Sequence, residues 1–133
     1  MLFNKPSKPQ SRIDTLIGAG TRIEGDVTFA GGLRVDGEIK GNVSCVEGQH
    51  GTLVLSEHAR IEGAVSVSHL VINGAVTGPV TTTDFLELQP RARVTGDVEY
   101  NSVEIHLGAI VEGRLVHKGS AAKAVELKLA SSK

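Results

Sequence analysis

Histidines, a cysteine and glycine-rich stretches are the parts of this chain whose residue types could support chemistry. The histidines are His50, His58, His69, His106 and His117. They fall at different positions of the repeated pattern described below, which predicts separate, solvent-exposed side chains and no metal-ligand set. Cys45 is the single cysteine, so no internal disulfide can form. A small side chain of this kind is more often a packing residue than a catalytic thiol.

Two short stretches resemble ligand-binding loops only in part. The sequence GAG at residues 18–20 looks like a fragment of a dinucleotide-binding loop, but no helical pattern follows it, which indicates a chain corner. The sequence VDGEIKGN at residues 35–42 lacks the acidic spacing of a calcium loop. No nucleophile, base and orienting acid can be combined either. We therefore predict no catalytic residue, no cofactor and no metal site, and a protein that is not an enzyme.

A repeat explains the glycines. Eleven-residue copies begin at Ile17, Leu33, Leu55, Leu70, Leu88 and Ile105, about 18 residues apart on average. In every copy, positions one, seven and eleven are aliphatic, position five is small and position nine is glycine. The longest interval contains EGQHG, residues 47–51, which predicts a surface loop or hairpin. A repeat of this length buries its aliphatic residues against neighbouring copies.

The spacing within each copy is typical of strands. Aliphatic residues recur at even offsets, as in Val35, Ile39 and Val43, whereas helical spacing is not sustained. Short strands with glycine corners predict an all-β fold, a single-stranded β-helix (β-solenoid) of about six coils. A left-handed hexapeptide helix needs an aliphatic residue every six positions, whereas here a six-residue step precedes a four-residue step. The pattern favours a right-handed helix over residues 13–118, with short flexible tails at 1–12 and 119–133.

Composition agrees with one such domain. The chain has 133 residues, 40% of them hydrophobic but only 3% aromatic, which suits a narrow aliphatic interior. The net charge of −1 predicts no nucleic-acid partner. No apolar run reaches the length of a membrane span and no signal peptide is visible, so we expect a cytoplasmic protein.

The six copies, the chain length and the start MLFNKPSK resemble a bactofilin. Bactofilins are bacterial cytoskeletal proteins with a central right-handed β-helix between flexible tails. The resemblance implies polymerisation into filaments without nucleotide, and a scaffold for cell-shape or cell-wall machinery at the inner face of the cytoplasmic membrane. Some members use a phenylalanine of the last coil in polymerisation, whereas the last copy here ends at Leu115. The contact residues are therefore not transferred by name.

The ends of a solenoid favour assembly on physical grounds. The first and last coils expose unpaired strand edges unless a polar cap covers them, and residues 119–133 could supply one only at the C-terminal end. We predict end-to-end self-association through terminal-coil residues, which are Ile17, Ile23, Val27, Phe29, Ile105, Val111 and Leu115. Six coils at ~4.8 Å each make a building block roughly 30 Å long. An alternative stays open, a discrete trimeric β-helical enzyme such as an acyltransferase or a γ-type carbonic anhydrase.

The N-terminus has the composition of a membrane-binding segment. Met1, Leu2 and Phe3 form an apolar tip, Lys5 and Lys8 follow, and no acidic residue precedes Asp14. Each basic residue near an anionic leaflet contributes about 1 kcal/mol. One such segment binds a membrane weakly, but a filament that presents many of them binds stably. These five residues are the predicted membrane contacts.

Overall fold

Three parallel β-faces wound into a spiral make up the fold. The computed structural model describes residues 12–118. Within that range each coil places one short strand on a first, a second and a third face in turn, and no helix is present. The first three coils contain β1 (Thr15–Ile17), β2 (Arg22–Glu24), β3 (Val27–Phe29), β4 (Gly31–Val35), β5 (Glu38–Lys40), β6 (Val43–Cys45), β7 (Gly51–Leu55) and β8 (Arg60–Glu62).

The later coils contain two longer strands that run around a corner. The remaining strands are β9 (Val65–Ile72), β10 (Ala75–Thr77), β11 (Val80–Leu88), β12 (Arg93–Thr95), β13 (Val98–Tyr100), β14 (Val103–Ile105), β15 (Ile110–Glu112) and β16 (Leu115–His117). β9 and β11 each supply the third face of one coil and the first face of the next. All pairings are parallel, and the second face stacks six strands in the order β15-β12-β10-β8-β5-β2. This confirms the predicted all-β solenoid of about six coils.

The stacking register confirms two of the three aliphatic repeat positions. Position seven forms one ladder on the second face, Ile23, Ile39, Ile61, Val76, Val94 and Val111. Position eleven forms another on the third face, Val27, Val43, Val65, Val80, Val98 and Leu115. In the middle coils these side chains are almost fully buried. Each such side chain contributes roughly 1.5–3 kcal/mol relative to an exposed one.

Position one does not stack as the repeat alignment implied. Ile17 pairs with Val35 rather than Leu33, and Leu55 pairs with Ile72 rather than Leu70. The corner between the first and second faces is two residues shorter in the second and fourth coils. An added Cβ at the short-corner glycines would collide with the backbone of the preceding coil, at Thr21 for Gly37 and at Ser56 for Gly74.

The corner between the second and third faces needs glycine for its backbone conformation. All six position-nine glycines have positive φ, and they are Gly25, Gly41, Gly63, Gly78, Gly96 and Gly113. At Gly96 φ is 143°, and an added Cβ would lie 2.5 Å from the carbonyl oxygen of Gly78 in the preceding coil. Stacked corners therefore exclude a side chain through both φ and contact.

Side chains after these glycines satisfy backbone amides of the following coil. Asp26 Oδ1 accepts from the Asn42 amide at 2.9 Å, and Asn42 Oδ1 accepts from the Ala64 amide at 2.9 Å. Asp97 Oδ1 accepts from the Arg114 amide at 3.0 Å. The Arg114 amide and guanidinium hold the pKa of Asp97 below its usual range. These three hydrogen bonds form an Asx ladder that is interrupted at Ala64 and Pro79, and they add to strand pairing at this corner.

Candidate assembly surfaces at the two ends

Unpaired strand edges mark both ends of the described solenoid. Within residues 12–118, β1, β2 and β3 each pair with a strand of the second coil only, and β15 and β16 pair only with strands of the fifth. Their outer backbone groups are available for a further coil. A second copy of the chain can supply that coil by continuing the ladder.

The last coil exposes side chains that are core residues elsewhere. Leu88 is 0% exposed, whereas its register partner Ile105 is 47% exposed. Val111 is half-buried, whereas its partner Val94 is 1% exposed. Leu115 is 44% exposed at the end of the third-face ladder. The C-terminal end of the described solenoid, residues 12–118, is therefore an apolar cross-section of the core.

The first coil is more covered. Ile17 is buried, and Ile23, Val27 and Phe29 are half-buried. The Phe29 ring points along the stack rather than away from it, because it lies beside Cys45 and Gly51 of the second and third coils. The two ends thus differ in how much of their apolar side chains is exposed. Four of the seven predicted interface residues lie in the first coil and three in the last.

Further exposed apolar residues lie in the terminal coils. Leu107 has the greatest exposed fraction among them, and the set is Ile13, Leu16, Leu107, Ile110 and Val116. Leu107 occupies a corner position that holds Ala19, Glu57 and Pro90 in the other long corners. The sequence alone could have indicated that Leu107 is exposed, because a leucine stands there at a corner position without large apolar residues in the other coils. The repeat alignment covered only the positions that are alike in every copy.

Charged pairs border the last coil on its third face. Lys118 Nζ lies 3.8 Å from Glu99, and Arg114 Nη2 lies 3.3 Å from Asp97. These pairs are largely exposed and contribute little to stability. Both pairs flank β16 on the third face, so polar groups border the exposed Leu115 as they border the apolar centre of a protein interface.

The predicted membrane contacts, Met1, Leu2, Phe3, Lys5 and Lys8, lie outside the described residues, as does the segment 119–133. Between residues 12 and 118 no helix is long and apolar enough to cross a membrane. The loop prediction for residues 47–51 is confirmed in part, because a surface turn follows β6, closed by the Gln49 amide on the Val46 carbonyl at 3.0 Å. No hairpin forms there, because β6 pairs with β3 and β9 and β7 pairs with β4 and β9, rather than with each other.

The histidines do not all behave as predicted. His58 is exposed, but the His69 side chain is only 19% exposed and its ring centroid lies 6.2 Å from that of His50. Their repeat positions differ, yet the 46–50 turn carries His50 towards the neighbouring coil. His106 is partly exposed, and its Nε2 lies 3.0 Å from Glu87.

Comparison with known proteins shows which family has this architecture. The model of the family Bactofilin, described as polymer-forming cytoskeletal, matches residues 15–116. The chain belongs to the bactofilin family. Bactofilins form homopolymeric filaments, so this chain is a cytoskeletal filament protein. The family resemblance seen in the sequence is confirmed.

Two bactofilins of Myxococcus xanthus are similar in sequence. Bactofilin BacO is 28% identical over 102 residues, which cover 77% of this chain and 78% of BacO. Bactofilin BacP is 28% identical over 116 residues, which cover 86% of this chain but only 47% of BacP. The chain thus spans most of one bactofilin and about half of the other.

Two bactofilin structures share the fold. The bactofilin of Thermus thermophilus, reconstructed by cryo-electron microscopy as double helical filaments, superposes with a TM-score of 0.68 at 28% identity, covering 78% of this chain and 99% of that one. The cytoskeletal bactofilin BacA, determined by solid-state NMR, gives a TM-score of 0.68 at 30% identity, covering 79% and 96%.

Proposed function

We propose that this bactofilin polymerises end to end through its terminal coils without nucleotide, and that the filament is attached to the inner face of the cytoplasmic membrane. The observation that carries the assembly proposal is the apolar cross-section at the last coil. Ile105 and Leu115 are each more than two-fifths exposed although they occupy core positions of the repeat. A stacked second subunit removes this surface from water and pairs the strand edges.

The membrane proposal rests on the first eight residues. An apolar tip at Leu2 and Phe3 and the charges of Lys5 and Lys8 suit an anionic leaflet. Because each subunit of a filament carries one such segment, weak single contacts add up. A filament attached in this way is suited to position cell-shape or cell-wall proteins along the membrane.

Sedimentation of the purified chain over a range of concentrations, without nucleotide, tests assembly. An open polymer increases in size with concentration, and electron microscopy shows filaments. One discrete trimer at every concentration contradicts the proposal and favours a β-helical enzyme instead.

Vesicle flotation tests attachment independently of assembly. Filaments of the full chain are expected to float with phosphatidylglycerol vesicles at low salt, and filaments lacking residues 1–8 are not. Changing Lys5 and Lys8 to Glu removes the charges but keeps the tip, and changing Leu2 and Phe3 to Ser does the reverse. Equal flotation of the full and shortened chains contradicts the membrane proposal, and salt-insensitive flotation assigns binding to the tip alone.

A further inference from the structure

Three side chains on successive coils converge on the edge between the third and first faces. His50 comes from the turn before β7, His69 from β9 and Asp84 from β11. One ligand atom from each lies within 4.8 Å of the other two. They belong to the third, fourth and fifth coils, far along the chain from the terminal coils used for assembly.

Different local devices bring each side chain to this edge. Residues 46–50 form the extra turn of the longest repeat interval, and His50 ends it. His69 pairs with Thr52 and with Phe85 in the outward register of the first face. The register of β11 shifts between Thr82 and Phe85, and this irregularity re-aims Asp84 towards the histidines.

The distances fit metal ligands better than hydrogen bonds. His50 Nδ1 and His69 Nε2 both face Asp84 Oδ2, at 3.5 and 3.7 Å. Good hydrogen bonds between such groups are ~2.7–3.0 Å long. In a tetrahedral site with metal–ligand bonds of about 2.1 Å, neighbouring ligand atoms are ~3.4 Å apart. A small inward movement of His50, whose side chain is 82% exposed, therefore completes the site.

The orientation of the His69 ring suits coordination. The buried Nδ1 of His69 has no hydrogen-bond partner among the described residues, so Nε2 is the ring atom that points to a polar group. A groove lined by His50, Ser68 and Asp84 lies beside the cluster, so two of the three side chains are reached from solvent.

We propose that His50, His69 and Asp84 bind one divalent transition-metal ion of the Zn²⁺ class. Two imidazoles and one carboxylate select such an ion over Mg²⁺ and Ca²⁺, which prefer oxygen ligands. The ion ties the third, fourth and fifth coils together and fixes the 46–50 turn against them. The proposal does not depend on filament or membrane binding.

Equilibrium dialysis of the assembled protein against ZnCl₂ tests the site. The unmodified chain is expected to bind about one Zn²⁺ per subunit, with Mg²⁺ in large excess failing to compete. His50→Ala and Asp84→Asn are expected to weaken binding at least tenfold while circular dichroism stays unchanged. His58→Ala removes an exposed histidine at another edge and is expected to bind as the unmodified chain does.

Three results overturn the proposal. The first is no binding to the unmodified chain at ~0.1 mM free Zn²⁺. The second is undiminished binding by His50→Ala and Asp84→Asn. The third is loss of binding in His106→Ala but not in His50→Ala, which assigns the ion to the separate cluster of Glu87, Glu104 and His106.

Discussion

Val98 and Leu115 are register partners on the third face, yet Val98 is 0% exposed and Leu115 is 44% exposed. Both occupy the last position of the repeat. Val98 has a coil on each side, with Val80 as its other partner, whereas Leu115 has a described coil on one side only. The same sequence position is therefore a core residue or an exposed apolar residue according to whether another coil follows, which is the physical basis of the end-to-end assembly proposed above.

Gly96→Val is expected to destabilise the solenoid by about 2 kcal/mol or more, because valine at positive φ is strained and its Cβ would contact the Gly78 carbonyl. Thermal unfolding followed by circular dichroism measures the change. Gly20→Ala is the matched control, since a Cβ there meets nothing within 4 Å. Equal melting temperatures for Gly96→Val and the unmodified chain would show that this corner tolerates a side chain.

Asn42→Ala is expected to cost about 1 kcal/mol, because the Ala64 amide loses its side-chain acceptor. Asn42→Asp keeps an acceptor and matches the residue at the equivalent positions Asp26 and Asp97, so it is expected to retain most of the stability. Chemical denaturation separates the two variants. The Asx ladder has no stabilising role if both variants unfold at the same denaturant concentration as the unmodified chain.

His69 predicts a pH dependence of stability. Its folded-state pKa lies below the usual 6.5 because of burial, so the unfolded chain takes up this proton at a higher pH than the folded protein does. The stability contributed by neutral His69 is complete above about pH 6.5 and is lost as the pH falls towards the folded-state pKa. Melting temperatures in chelator at about pH 7 and pH 5.5 are expected to fall less for His69→Gln than for the unmodified chain. Equal decreases in melting temperature for the two proteins would contradict the assignment of this pH dependence to His69.

The repeat made much of the fold predictable from sequence. Aliphatic residues at positions seven and eleven, such as Ile39 and Val43, have one possible inward direction in a stacked strand, so their ladders followed directly. Position one failed for Leu33 and Leu70, because the residue two positions later in each strand also faces inward and can equally be aligned with the preceding coil. Corner length decides which of the two stacks there, and the short corners depend on how Gly37 and Gly74 fit against the preceding coil.

The sites were less predictable than the fold. Counting repeats predicts which coils are terminal. It does not predict how exposed each terminal residue is, since Ile17 in the first coil is buried whereas Ile105 in the last coil is exposed. The approach of His50 to His69 depends on a turn and a register shift that carry no repeat signal. Leu107 was detectable as a departure from the corner pattern.

Leu115→Arg tests end-to-end assembly most directly. A stacked subunit would bury the arginine without a partner, at a cost of several kcal/mol, so filaments are expected to become short oligomers or monomers that remain folded. Val116→Arg is the matched control, because Val116 is the next residue of the same strand and pairs with the exposed Glu99 rather than with a core residue. Val65→Arg, at a side chain only 1% exposed, is expected to unfold the chain instead.

Sedimentation velocity for size, with circular dichroism for fold, is the deciding measurement. We expect Leu115→Arg to sediment as small folded species at concentrations where the unmodified chain and Val116→Arg form long filaments. Long filaments of folded Leu115→Arg would contradict the assignment of the last coil as the joint between subunits.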